Sequence, residues 1–213
     1  MRENFFGDLE FYEHRTRAYD GMLGSPTYNK VFWGTSPNDY AAFAARAIGS
    51  GTGPIMEAAV GTAKATALLH IASGRTTTLV DLSEPMLSMA KESIQRIAGR
   101  RIPERITFEC RDMLLPGQKY ETILGLGLLH LVPDLSTVFT GLGNQLQEHG
   151  SLYLASLIKG SMRSNAYLKL LKAHGDIAAL RTASDLYEQA VDARIGTVAV
   201  SHRGAMAYVV VTR

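Results

Sequence analysis

The segment Ile55–Ala63, which reads IMEAAVGTA, and Asp81, eighteen residues beyond it in TTTLVDL, constrain the fold more than any other part of the chain. An apolar run, a turn of small residues, a helix-length span and a second apolar run closing on an acid is how an open α/β sheet holds an adenosine-bearing ligand. The turn must let backbone N–H groups and a helix N-terminus approach that ligand, which glycine permits and a Cβ obstructs. Here Gly61 is flanked by Ala59 and Ala63. Alanine is the smallest obstruction, and both are expected to sit without strain if their φ values are negative. A positive φ at Ala59 would cost about 1 kcal/mol.

Around this segment the pattern continues as a sheet. Strand-like runs at 54–59, 77–81, 105–110, 120–125 and 150–157 alternate with helix-like runs at 62–72, 84–98 and 134–147. Such alternation predicts an α/β fold with a mostly parallel sheet covered on both faces. Helices over 2–19 and 37–48 precede it, and Ser36-Pro37 and Ser83-Glu84-Pro85 read as helix starts, with Gly99 as a stop. Helices near 163–173 and 182–191 follow, then β-rich runs at 194–201 and 206–212. The short Arg203-Gly204 connection makes these an antiparallel hairpin. We expect one domain over 1–213, with 1–48 as an N-terminal helical cap.

Composition narrows the partners. A net charge of +2, with scattered lysines and arginines, does not supply the concentrated field that nucleic-acid binding needs. The single Cys110 cannot form an internal disulfide, MRENFFGDLEF lacks an apolar signal core, and no run approaches membrane-spanning length. These features predict a soluble, cytoplasmic protein without a membrane partner. His14, His149, His174 and His202 have no metal-ligating spacing, so no metal is expected.

Several motifs run in a family's order over most of the chain. Glu57-Ala58-Ala59-Val60-Gly61-Thr62-Ala63 stands where that family usually reads EVGCGTG. VDLSEPML, with Asp81 and Met86, is close to VDxSxxML. FECRDMLLP resembles the end of its third strand, and YETILGLGLLHLVPD its fourth strand with the helix start after it. LQEHGSLYLAS occupies the place of LxPGGxLxx and keeps Gly150. Together they resemble the class I, Rossmann-like S-adenosylmethionine-dependent methyltransferases of small-molecule type. The resemblance implies a doubly wound, seven-stranded, mostly parallel sheet of order 3-2-1-4-5-7-6 that ends in an antiparallel hairpin.

The resemblance also implies a seat for S-adenosyl-L-methionine. Asp81, with Leu82 beside it, would take both ribose hydroxyls; read by itself, Asp81 also suits a helix N-cap neighbour or a solvated loop acid. Met86 would pack on the adenine or serve as plain core. Asp112 and the backbone of Met113 would read the adenine amino edge, or Asp112 would cap a turn before Pro116. Glu57, with Ala58, Ala59 and Gly61 in the turn, would organise the methionine ammonium, and Gly125 and Leu126 would offer it carbonyls.

The acceptor side is less defined. Methyl transfer from a sulfonium is an in-line displacement that proximity can accelerate without a dedicated catalytic residue. His130, just after the fourth strand, is the candidate base if there is one; otherwise it is a packed histidine at a helix entry. The family's commoner second histidine falls on Leu131. Nine of the seventeen aromatic residues lie in the first forty positions, and AYDGMLGSPTYNKVFWG resembles the aromatic cap that many small-molecule methyltransferases fold over the cofactor mouth. Tyr19, Tyr28 and Trp33 are the expected pocket residues, Gly24-Ser25-Pro26 the hinge, and Met162 and Tyr167 a second contact region. The aromatics also suit packing onto the domain or a homodimer. The expected activity is methyl transfer from S-adenosylmethionine to an O or N atom of a small, partly apolar acceptor, in specialised-metabolite biosynthesis. The alternatives are a non-methylating step such as cyclisation, or a non-catalytic partner subunit.

Overall fold

Ile55, Met56, Glu57 and Ala58 form the first strand, β1, and all four are buried. A strand buried on both faces does not alternate polar and apolar residues, and its place is the centre of a parallel sheet. The computed structural model, which describes residues 25–99 and 101–213, puts it there. β1 pairs in parallel with β2 (Thr77–Asp81) on one side and β4 (Tyr120–Gly125) on the other. β3 (Ile106–Cys110) extends the sheet beyond β2, and β5 (Leu146–Leu157) extends it beyond β4. β6 (Thr197–Arg203) and β7 (Met206–Thr212) finish it antiparallel, giving the seven-stranded order β3-β2-β1-β4-β5-β7-β6. This is the doubly wound sheet and terminal hairpin that the motifs imply.

A short helical stretch, Pro26–Tyr28, runs into a π-helical turn, Asn29–Trp33, ahead of the first long helix. The longer helices are α1 (Pro37–Gly49), α2 (Ala67–Ser73), α3 (Glu84–Ala98), α4 (Leu135–Gly143), α5 (Met162–Ala173) and α6 (Ala183–Asp192). Most begin on a cap legible in the sequence. Ser36 with Asp39, and Thr182 with Asp185, form capping boxes, while Ser83, Asp134 and Ser161 accept from backbone N–H groups in the first turn. Their apolar faces then pack on the sheet. Val138, Phe139 and Leu142 of α4 share one cluster with Leu186 of α6 and Ile123 of β4, and Leu87, Ala90 and Ile94 of α3 pack with Leu79 of β2. Phe43 of α1 meets Tyr153 and Tyr208 of β5 and β7.

Three expected boundaries move. The helix expected over 62–72 begins at Ala67, because residues 59–66 form an irregular turn instead. The helix expected over 134–147 stops at Gly143, and β5 starts at Leu146, where Tyr120 N–H donates to the Gln145 carbonyl. His149 takes φ 64 there, and a Cβ on Gly150 would lie 3.0–3.1 Å from three backbone carbonyl oxygens, so this glycine answers to packing. The run expected at 194–201 begins pairing only at Thr197, after Arg194 at φ 53, and the hairpin connection is Gly204–Ala205. The helix expected over 2–19, the hinge position Gly24, His14 and Tyr19 lie outside the described residues.

Candidate functional site

Strand order reverses between β1 and β4, and the crevice outside the carboxyl ends of such strands is where open α/β sheets bind ligands. A cavity of about 650 Å³ lies there. Its floor is the turn after β1. Ala59, Gly61 and Ala63 take φ values of 51°, 57° and 52°, so of the two conditions set out for the alanines the strained, positive-φ one holds. Two tertiary hydrogen bonds and one local bond hold this geometry. Val60 N–H donates to the Val80 carbonyl at 3.0 Å and Gly61 N–H to Asp81 Oδ2 at 2.8 Å, while Ala67 N–H closes the turn on the Ala63 carbonyl at 2.8 Å. A Cβ on Gly61 would meet nothing within 4 Å, so its φ rather than neighbouring protein atoms calls for glycine. Left-handed alanine is strained by about 1–2 kcal/mol, and glycine costs about 0.4–1 kcal/mol in unfolded-state entropy. Ala59→Gly and Ala63→Gly are therefore each expected to stabilise the protein by about 0.5–1 kcal/mol in urea denaturation. Ala58→Gly, in the buried strand, should destabilise it by a similar amount. Loss of stability in both turn variants would refute the strain assignment.

Asp81 ends β2 on the cavity wall. Its Oδ2 holds Gly61 N–H and its Oδ1 accepts from Ser83 N–H at 3.0 Å, so one carboxylate joins the β1 turn to the start of α3. Burial raises its pKa above the ordinary value, opposed by the N–H groups of Ser83, Gly61 and Leu82. Leu82, Met86, Met113 and Leu126 also line the cavity, with Met86 and Met113 nearly buried. Glu57 reaches it from β1 and is only 2% exposed; His70 Nε2 lies 2.5 Å from its Oε2. Three of the expected contacts do not line it. Ala58 is buried in β1, and Asp112 uses its Oδ1 to accept from Leu114 N–H at 2.8 Å, a local turn. At Gly125 a Cβ would come within 2.7 Å of Leu154 and 2.9 Å of Leu128, so the glycine serves packing under the site.

Tyr28 and Trp33 do not line the cavity either. They pack with Phe32 and Tyr167 in an aromatic cluster whose ring centroids are 4.9–6.3 Å apart, and the Tyr28 hydroxyl donates to that of Tyr167 at 3.0 Å. Met162, at the start of α5, is 91% exposed. His130 is buried beside the site. Its Nδ1 accepts from Leu157 N–H at 3.2 Å and its carbonyl accepts from Ala178 N–H at 2.9 Å, which ties three chain segments together. Burial, reinforced by Arg181, lowers its pKa from 6.5 to about 3. The unfolded chain binds that proton first, so this contribution to stability is complete above pH 6.5 and is lost as pH falls toward about 3. Urea denaturation across that range is expected to show up to about 1.4 kcal/mol per pH unit from this one group, and His130→Gln should remove it. An unchanged slope in the variant would show that the histidine is not held neutral.

Comparison with known proteins bears on what occupies this site. Residues 56–154, which span β1 to β5, match the family model described as a methyltransferase domain. Over those residues the chain resembles that family, and its sheet has the strand order of the class I, S-adenosylmethionine-dependent methyltransferase fold. No curated protein sequence matches it. Among solved structures, magnesium protoporphyrin IX methyltransferase from Synechocystis PCC 6803, with S-adenosylhomocysteine bound, aligns over 94% of this chain and 99% of its own at 17% identity and TM-score 0.64. An O-methyltransferase family protein from Burkholderia thailandensis aligns over 98% and 63% at 15% identity and TM-score 0.71. Haemonchus contortus phosphoethanolamine N-methyltransferase 2, in complex with S-adenosyl-L-methionine, aligns over 91% and 44% at 16% identity and TM-score 0.67.

The cavity suits S-adenosylmethionine in its chemistry: a buried acid at its floor is of a kind to face a cationic group, a carboxylate at the end of β2 is of a kind to face a ribose, and the open turn at Gly61 leaves room for close approach. Beyond these, the walls include residues that sequence patterns did not single out. Asn29, Thr35 and Tyr40 come from the N-terminal side, Arg111 from the end of β3, Ile177 from the loop after α5, and Tyr208 from β7. Burial raises the pKa of the Tyr208 phenol, opposed by the Thr35 hydroxyl nearby. Arg181 fixes the loop that carries Leu131 and Pro133 by donating to the carbonyls of Leu129, Val132 and Pro133 at 2.7–2.8 Å. Strand alternation puts Met206 and Tyr208 on one face, and only the packed sheet tells which face is the cavity's. Among the described residues, no group of three or more His, Cys, Asp or Glu is placed to hold a metal, and no helix is long and apolar enough to cross a membrane.

Proposed function

We propose that the protein transfers the methyl group of S-adenosylmethionine to an O or N atom of a small, partly apolar acceptor, as a step in specialised-metabolite biosynthesis. One observation carries this reading: a single cavity runs from Glu57, Gly61 and Asp81 to a second set of walls formed by Asn29, Thr35, Leu131, Ile177 and Tyr208. The first set suits the cofactor. The second is mixed apolar and hydroxylic, of a kind that takes compact ligands by shape and a few polar contacts.

In this reading Asp81 takes the ribose hydroxyls, Glu57 the methionine ammonium, and Leu82, Met86 and Met113 surround the adenine. Segment 1–48 acts as the cap; Asn29, Thr35 and Tyr40 are among its residues on the cavity wall. The bound cofactor supplies an already activated methyl group, so the chain's task is to align the acceptor and exclude water. His130 is not required as a base. Its ring nitrogen is occupied by Leu157 N–H. A single free cysteine, Cys110, agrees with a cytoplasmic setting.

The test is incubation with methyl-labelled S-adenosylmethionine and a panel of small phenols, amines and carboxylic acids, read by mass spectrometry. Label on an acceptor oxygen or nitrogen supports the proposal. Cofactor binding with unlabelled, rearranged products, or label only on carbon, overturns it.

A further inference from the structure

We propose that His70 is the positioning residue that holds Glu57 in place for the cofactor's α-ammonium group. This inference rests on the reading that the amino-acid end of the cofactor lies over Glu57. His70, on α2, is fully buried, and Glu57, on β1, nearly so. A buried carboxylate without a hydrogen-bond partner is expensive, so this contact is what lets an acid stand at the cavity floor.

The tautomer follows from the surroundings. An ionised carboxylate only accepts, so the 2.5 Å contact places the imidazole hydrogen on Nε2, donating to Glu57 Oε2. Nδ1 is buried and has no hydrogen-bond partner. A proton there would put an unsatisfied donor in the core, whereas a bare lone pair costs less. The geometry thus makes the imidazole a single donor, through Nε2, to the carboxylate. His70 engages only Oε2, and Glu57 lines the cavity, so a second carboxylate oxygen remains for a bound cation.

The helix that carries the imidazole is itself anchored. Arg105 Nη2 donates to the Ile71 carbonyl at 2.8 Å, Ser73 Oγ donates to the His70 carbonyl at 3.1 Å, and His70 N–H donates to the Thr66 carbonyl at 2.9 Å. These bonds fix the ring relative to β1, and the ring fixes the carboxylate. Losing the His70 bond would leave Glu57 free to change rotamer, which moves the carboxylate from the ammonium's position.

Two adenosine ligands separate positioning from general support. S-adenosylhomocysteine carries the α-ammonium, and 5′-methylthioadenosine lacks the whole amino-acid end. By calorimetry, His70→Leu is expected to weaken S-adenosylhomocysteine about tenfold or more and methylthioadenosine less than about threefold. His70→Gln, which restores an N–H near the same place, should return the first affinity to within about threefold of wild type. The ratio is read on one preparation, so a reduced folded fraction cancels, and the glutamine variant keeps the test open if the leucine variant does not fold. Equal weakening of both ligands would overturn the inference by making His70 a purely structural residue. No weakening by His70→Leu, where Asp81→Ala weakens both ligands, would also overturn it and leave the seat intact. If Asp81→Ala changes neither, the placement of the seat fails as well.

Discussion

Replacing Asp81 by alanine is expected to weaken S-adenosylmethionine and S-adenosylhomocysteine binding about tenfold or more. The carboxylate would make charge-assisted hydrogen bonds to the ribose, each worth roughly 1.5–3 kcal/mol, and tenfold corresponds to about 1.4 kcal/mol. A second loss adds to the first. Gly61 N–H and Ser83 N–H both end on this side chain, so its removal frees the floor turn and the approach to α3 together. Folding stability should change less than affinity, because the buried charge also carries a desolvation cost, visible in its raised pKa. Asp81→Asn, which keeps size and one acceptor oxygen, should fall between the two. Acidification should weaken cofactor binding in the wild type as the carboxyl protonates, and that component should vanish in the alanine variant. Titration calorimetry across pH measures all of these, and an affinity within threefold of wild type for Asp81→Ala would mean the ribose lies elsewhere.

Gly204→Ala is expected to cost roughly 2–5 kcal/mol and to detach the segment that carries Trp33. Gly204 takes φ 54 in the hairpin turn, and a Cβ there would lie 2.0 Å from the Trp33 carbonyl oxygen and 2.6 Å from that of Gly34. The φ strain contributes about 1–2 kcal/mol and the overpacking about 1–3 kcal/mol. The obstacle is backbone, so no rotamer change relieves it. The same Trp33 carbonyl accepts from Ala205 N–H at 2.7 Å, a bond that would be lost as the segments part. Trp33 is the chain's one tryptophan and is 3% exposed, so its fluorescence reports the event directly. We expect a red-shifted emission maximum under native conditions, together with a lower denaturation midpoint. Because Asn29 and Thr35 on the same segment line the cavity, acceptor affinity should fall with it. An unchanged emission maximum and midpoint would show that the hairpin does not hold this segment.

Much of the fold was legible because its signals are local. Strand and helix periods differ, and the caps at Ser36, Ser83 and Thr182 act within one turn, so elements could be placed from neighbouring residues alone. Boundaries move where a distant group intervenes. The helix expected from residue 62 starts only at Ala67, after a turn pinned by Val60 N–H on the Val80 carbonyl and Gly61 N–H on Asp81. The aromatic bias of the N-terminal segment is legible, but not what it packs on: Tyr28 and Trp33 turn into a cluster with Tyr167, a residue 139 positions from Tyr28. His70 carried no signal at all. A lone histidine on a short helix becomes notable only when β1 brings Glu57 to it.

The sequence by itself determined the sheet, its strand order through the motifs that mark the family, and the acid at the end of β2, because each is written in residue type and spacing along the chain. Tertiary structure decided which side chains face the cavity, that Ala59 and Ala63 are held at positive φ, and that Glu57 is paired. Those outcomes depend on contacts between residues far apart in sequence, where packing and hydrogen bonding override what each residue prefers alone.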